Sequence, residues 1–101
     1  MDQARVEREG QLLRLSGPVN LTSVPGLHAP CLAAAAAGAV QVDLAGASAV
    51  DSSALALLLD LRRAAEAAGG QFELRNPPAA LRTLAELYGV GFLVDNRAPD
   101  A

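Results

Sequence analysis

Asp51, Ser52 and Ser53 place one carboxylate and two hydroxyls side by side, directly before the leucine-dense stretch Ala54-Leu55-Ala56-Leu57-Leu58-Leu59. Acid and hydroxyl residues at such a boundary form a helix N-cap pattern. Their oxygens accept from backbone N–H groups that the first helical turn leaves unpaired. With Asp51 as the cap, Ser52 and Ser53 fall in the first turn, and at least one hydroxyl is expected at the surface. The partial positive charge of a helix N-terminus also tolerates a phosphate or carboxylate there. The run therefore reads in three ways: a capped core helix, a docking surface, or a phosphorylation switch at Ser52.

Other combinations carry less. His28 is the single histidine and Cys31 the single cysteine, and two ligands fall short of the three or four that a zinc site takes. Nothing beside Cys31 marks an activated thiol. No nucleophile elbow surrounds Ser52, so Ser52, His28 and Asp51 or Asp43 do not make a triad. Ala45-Gly46-Ala47-Ser48 lacks the lysine and second glycine of a phosphate-binding loop. Asp43 and Asp51 are separated by a strand and a loop that fix no distance between them. No catalytic residue, metal or cofactor is expected, and the chain is not read as an enzyme.

Composition narrows the class further. With 101 residues, 51% of them apolar, the chain is expected to fold as one domain over residues 1–96, followed by a short tail at 97–101. Aromatics are only 3%, so Leu, Val and Ala must fill the core. The net charge of −3 comes without a basic run or aromatic platform, which argues against nucleic acid as a partner. A lone cysteine fits a reducing compartment. The first residues hold no apolar signal region, and no apolar run approaches the roughly 20 residues of a membrane span. A cytoplasmic protein is expected.

The elements that must position Asp51-Ser52-Ser53 read as follows. Arg5-Val6-Glu7-Arg8 and Gln11 to Leu15 flank Gly10 as an antiparallel hairpin, stopped by Ser16-Gly17-Pro18. A helix follows between Leu21 and Gly38, kinked at Pro30 or regular only from about His28. Ala39–Leu44 reads as a strand and Ala45–Ala49 as a loop. The helix from Ser52 to Ala68 buries Ala54, Leu57, Leu58, Leu61, Ala65 and Ala68 on one face. Leu55 and Leu59 lie on its flank with Ser52, Arg62 and Glu66. Gln71–Arg75 alternates as a strand, Asn76 caps a last helix with Pro77 first, and Leu81, Leu84, Leu87 and Tyr88 form its buried stripe. Gly91–Val94 reads as a final strand. The alternation implies an α/β fold, a mostly parallel sheet with an antiparallel first strand and about three helices.

Val42-Asp43-Leu44, a five-residue spacer, Val50-Asp51-Ser52-Ser53-Ala54-Leu55 and then Leu57-Leu58-Leu59 resemble the STAS family over nearly the whole chain. That family includes anti-sigma-factor antagonists, cytoplasmic domains of sulfate transporters and a subunit of a bacterial lipid ABC transporter. Leu15-Ser16-Gly17 matches its second strand and turn. Leu81-Arg82-Thr83-Leu84-Ala85-Glu86-Leu87-Tyr88-Gly89-Val90 is most similar to the MlaB-like branch, the STAS subunits of phospholipid transporters. The resemblance implies a non-catalytic cytoplasmic subunit, peripheral to the inner membrane, that binds the transporter's ATPase and serves outer-membrane lipid asymmetry. Its contact surface would comprise Asp51, Ser52, Ser53, Leu55, Leu59, Arg62 and Arg63. The alternative it implies is an anti-sigma-factor antagonist whose Ser52 is phosphorylated by an anti-sigma-factor kinase. Ala54 stands where the family usually has Gly, and Pro18 and Asn20 replace acidic residues common in antagonists.

Overall fold

A computed structural model describes residues 3–99. In chain order the elements are β1 (Arg5–Glu9), β2 (Leu12–Pro18), α1 (Val24–Ala36), β3 (Gln41–Asp43), β4 (Ala47–Ser48), α2 (Ser52–Ala67), β5 (Glu73–Arg75), α3 (Ala79–Leu87) and α4 (Gly91–Val94). The sheet runs β1-β2-β3-β5, with β4 added to the far end of β2. β1 pairs antiparallel with β2, and the remaining pairs are parallel. This is the mixed α/β architecture that the alternation predicts, with three long helices and one short one.

The hairpin turns at Gly10 as expected, but β2 does not stop at Ser16-Gly17-Pro18. Gly17 takes φ +75°, and a Cβ there would meet the Gln3 carbonyl, so only glycine lets the strand pass. Its N–H donates to Gly46 O at 2.9 Å, and Ala47–Ser48 pairs with Gly17 and Pro18. The small-residue segment expected as a loop thus holds a strand. α1 runs from Val24 straight through Pro30, burying Leu27, Cys31 and Ala35. Gly26, whose carbonyl Pro30 cannot serve, is exposed like Pro30 itself, so the missing bond lies on the solvent side.

Leu13, Leu15, Val42 and Leu74 point from the sheet into one core against α1, α2, α3 and α4, joined by Leu57, Leu58, Leu61, Leu81 and Leu93. The opposite face carries an alternating row of charge, with Glu7 opposite Arg14, Arg14 opposite Asp43, and Asp43 opposite Arg75. Such cross-strand pairs stabilise by about 0.2–1 kcal/mol each and suit a solvated surface.

Three further expectations change. Gly91–Val94 is a helical turn, not a strand. A strand would point Leu93 and Val94 to opposite faces, whereas both are buried. The sheet edge that a final strand would occupy is taken by one side chain: Asn96 Oδ1 accepts from Leu74 N at 2.7 Å, and Asn96 Nδ2 donates to Leu74 O at 2.9 Å. Ahead of α3, Asn76 takes φ +53° and Pro78 is the N-cap, because the Asn76 amide turns away to donate to Asp43 Oδ1 at 3.0 Å. Ala68 is the exposed C-cap of α2, past its last buried turn.

Candidate functional site

The N-terminus of α2 is built as its sequence implies. Asp51 is extended, and its Oδ1 accepts from Ser53 N at 2.8 Å. A cap of this kind contributes about 1 kcal/mol. The second carboxylate oxygen does what no local pattern reveals: Oδ2 accepts from Leu21 N at 2.9 Å, thirty residues away. That amide, with those of Ser53 and Ala54 and the Ser53 hydroxyl, holds the Asp51 carboxyl below its ordinary range. The Leu21 segment is latched again by Asn20, whose Nδ2 donates to Ala49 O at 3.1 Å and whose Oδ1 accepts from Thr22 N. Asn20 thus fastens the segment to the residues just ahead of Asp51.

From this cap the helix lays Ser52, Ala56 and Arg63 outward, with Leu59 at the margin. Ser52 is exposed and Ser53 half-buried. Leu55 is only 3% exposed and packs into the core, while Leu59 is half-buried. Beside them lies an open notch of about 250 Å³, lined by Ser52, Leu55, Ala56, Leu59, Tyr88 and Val90. No charged side chain lines it, and its walls are almost wholly apolar. Tyr88 is 60% exposed and its neighbour Leu87 75% exposed, against the expectation that both belong to the buried stripe of α3. Leu81 and Ala85 fill that stripe. At about 100° per residue, Leu87 falls about 120° away from Leu81. Tyr88 follows the last turn as the C-cap and lies over the notch.

Arg62 and Arg63 separate in role. Arg63 is three-quarters exposed and reaches only Asp60, at 3.4 Å. Arg62 is turned inward with 13% of its side chain exposed and pairs with Glu66 at 3.5 Å. It also donates to Arg97 O at 3.0 Å and stands 5.1 Å from the Phe92 ring centroid. It ties α2 to α4 and the segment beyond. Ala54, at the position where a glycine was the norm to depart from, is 1% exposed and faces the core.

The remaining chemical groups have structural partners. His28 Nε2 lies 3.0 Å from Asp60 Oδ2, joining α1 to α2. Cys31 is fully buried, and that burial pushes its thiol up to about 11. Asp43 is held low first by the Asn76 amide, then by the Ala45 N–H, with Arg14 and Arg75 adding to it. Among the described residues no three His, Cys, Asp or Glu side chains gather in a metal-binding group. A larger polar depression of about 680 Å³ lies at the other end of α2, lined by Gln11, Gln41, Gln71 and Glu73 among others. No buried side-chain polar atom among the described residues lacks a partner. No helix among them is long and apolar enough to cross a membrane.

Comparison with known proteins agrees with this architecture. The family model described as "Mlab, STAS domain" matches residues 3–95. The anti-sigma factor antagonist SpoIIAA in its unphosphorylated form is similar in structure, with a TM-score of 0.68 and 26% identity over 88% of this chain and 83% of that one. No curated protein matches the chain.

Proposed function

The chain belongs to the STAS domain family, and from that premise we propose that it is a non-catalytic binding subunit of a phospholipid-transporting ABC complex. In this reading it is cytoplasmic, held at the inner membrane by the ATPase subunit it binds and supports. The contact surface is the outward strip of α2, with Asp51, Ser52, Ser53, Leu59 and Arg63, together with Tyr88, while the buried Leu55 only lines the notch between them. Arg62 braces the strip from behind. One observation carries the reading: an uncharged apolar notch opens beside an exposed hydroxyl, with Leu87 and Tyr88 left in solvent. A chain that leaves large apolar side chains exposed around an uncharged notch has the surface of a docking module. The "Mlab" description of the matching family model supports the transporter setting.

The test is titration of the purified chain against the phospholipid-transporter ABC ATPase of its native host. A complex that forms with the native chain and weakens at least tenfold in Tyr88→Ser, with no change in melting temperature, bears the proposal out. An ATPase that does not bind under mild conditions ends it.

A second reading draws on the similarity to SpoIIAA and on the exposed Ser52 hydroxyl at the first turn of α2. Here the chain is an anti-sigma-factor antagonist and its partner an anti-sigma-factor kinase. Phosphate on Ser52 would add about −1.5 to −2 charges at the edge of the apolar notch and expel a seated partner. Mass spectrometry after incubation with such a kinase and ATP decides it, and an unmodified Ser52 removes this reading.

A further inference from the structure

Among the described residues three large apolar side chains stand exposed: Leu21 at 74%, Leu87 at 75% and Tyr88 at 60%. Tyr88 lines the notch and Leu87 precedes it. Leu21 belongs to a different part of the chain, yet its N–H is held by Asp51 Oδ2, one residue before Ser52. α1, which the Leu21 segment leads into, packs on the Asp60 side of α2 through His28. α3, whose C-cap is Tyr88, packs on the Leu55 and Leu59 side. The exposed serine at the start of α2 therefore lies between the Leu21 segment on the α1 side and Tyr88 on the α3 side.

We propose that Leu21 is a second apolar anchor of the docking surface and that Asp51 is the residue that positions it. The inference rests on the docking reading above. The occupant is a segment of the ATPase, apolar where it crosses Ser52 and Ala56 and acidic where it overlies Arg63. The charge follows from the strip itself. Its centre carries none, its start is the Asp51 carboxylate, and its far end, about 18 Å along the helix, is the exposed Arg63 guanidinium, held at 3.4 Å by a surface pair with Asp60 that a partner carboxylate can replace at little cost. A carboxylate at the Arg63 end meets a cation, whereas one at the Asp51 end meets a like charge.

Asp51→Asn separates the two duties of that carboxylate. Asparagine caps a helix as well as aspartate does, so its oxygen keeps the Ser53 bond. Its NH₂ cannot accept from Leu21 N, so Leu21 loses its direct tie to α2 while Asn20 still holds the segment to Ala49. Leu21→Ser is expected to weaken ATPase binding about tenfold without moving the melting temperature. Asp51→Asn is expected to weaken binding by a similar factor, with a lowered melting temperature because the bond to Leu21 N is lost, and the double variant is expected to lose no more affinity than either single one. Wild-type affinity in Leu21→Ser overturns the inference while leaving the docking reading intact.

A photo-crosslinker placed at Leu21 and, separately, at Tyr88 in the native host keeps the two apart. Crosslinks from both positions to the ATPase support the inference and the reading. Crosslinks from both to another protein and none to the ATPase overturn the docking reading and the inference with it. A crosslink from position 88 alone, or from neither, overturns the inference.

Discussion

Replacing Ser52 by Asp tests the site most directly, because its effects on fold and on binding differ in sign and size. Ser52 is the first residue of α2 and is exposed. A carboxylate there gains about 0.3–1 kcal/mol from the helix dipole. It also stands beside the Asp51 carboxylate, and in a water-like environment that repulsion is up to about 1 kcal/mol at 4 Å. The two terms nearly cancel, so the melting temperature is expected to stay within about 4 °C of the native value for a domain of this size. Binding is another matter. The notch beside Ser52 has no charged wall, and a carboxylate trapped under a partner without a counter-charge costs several kcal/mol. That predicts an affinity loss of about a hundredfold or more. Ser52→Ala removes one hydrogen-bonding group and no more, so its loss stays below about tenfold. Differential scanning calorimetry and titration against the proposed ATPase partner read both arms. Native affinity in Ser52→Asp would show that no partner covers this residue, and a melting temperature lowered by more than about 8 °C would refute the cancellation.

Asn96→Ala removes both bonds to Leu74 and puts alanine at φ +52°. Two hydrogen bonds at about 0.5–1.5 kcal/mol each and a left-handed residue at about 1–2 predict a loss of about 2–5 kcal/mol in urea unfolding; Asn96→Gly, free of the backbone cost, loses less. Arg62→Ala is expected to cost about 1–2 kcal/mol through the lost Phe92, Glu66 and Arg97 contacts, whereas Arg63→Ala stays within about 0.5; equal melting temperatures for the two would sink this division. Asp43 and Asp51 both have folded-state pKa values below their ordinary ones. Their contribution is therefore present above the ordinary carboxylate pKa and lost as pH falls through the lowered one. Unfolding followed from roughly pH 5 to 2 should lose stability less steeply in the Asp43→Asn, Asp51→Asn variant than in the native chain.

What could be read from the sequence was what neighbours in the chain decide. The alternation of Leu13, Arg14 and Leu15 set the inner face of β2, Gly10 set the hairpin, and Asp51 capped α2 as its position before the leucines implied. These depend on contacts within a few residues. β4 depends on Gly17 passing the Gln3 carbonyl and meeting Gly46, which no local pattern encodes. α4 was misread for a related reason. Phe92, Leu93 and Val94 favour strands by type, but the place beside β5 is filled by Asn96, and two consecutive buried residues require a helical turn.

The site was half legible, and the missing half is tertiary. A helical projection of α2 groups Ser52, Leu55, Leu59, Arg62 and Glu66 on one flank, but it cannot say which neighbours cover that flank. Phe92 of α4 arrives there, drawing Arg62 over its ring, while Leu55 sinks into the core. The free strip is consequently rotated toward Ser52, Ala56 and Arg63. The same packing changes the meaning of Ala54. A methyl at a position usually glycine would obstruct a partner only if it faced one, and Ala54 faces the core. Its cost or benefit is therefore paid in core packing, and a shift in affinity on Ala54→Gly should follow a shift in melting temperature. Tyr88 gives the converse case. It follows the hydrophobic period of α3, yet it lies past the last turn and walls the notch instead. Periodicity identifies which residues can be buried together, and the ends of the elements decide which of them remain for a partner.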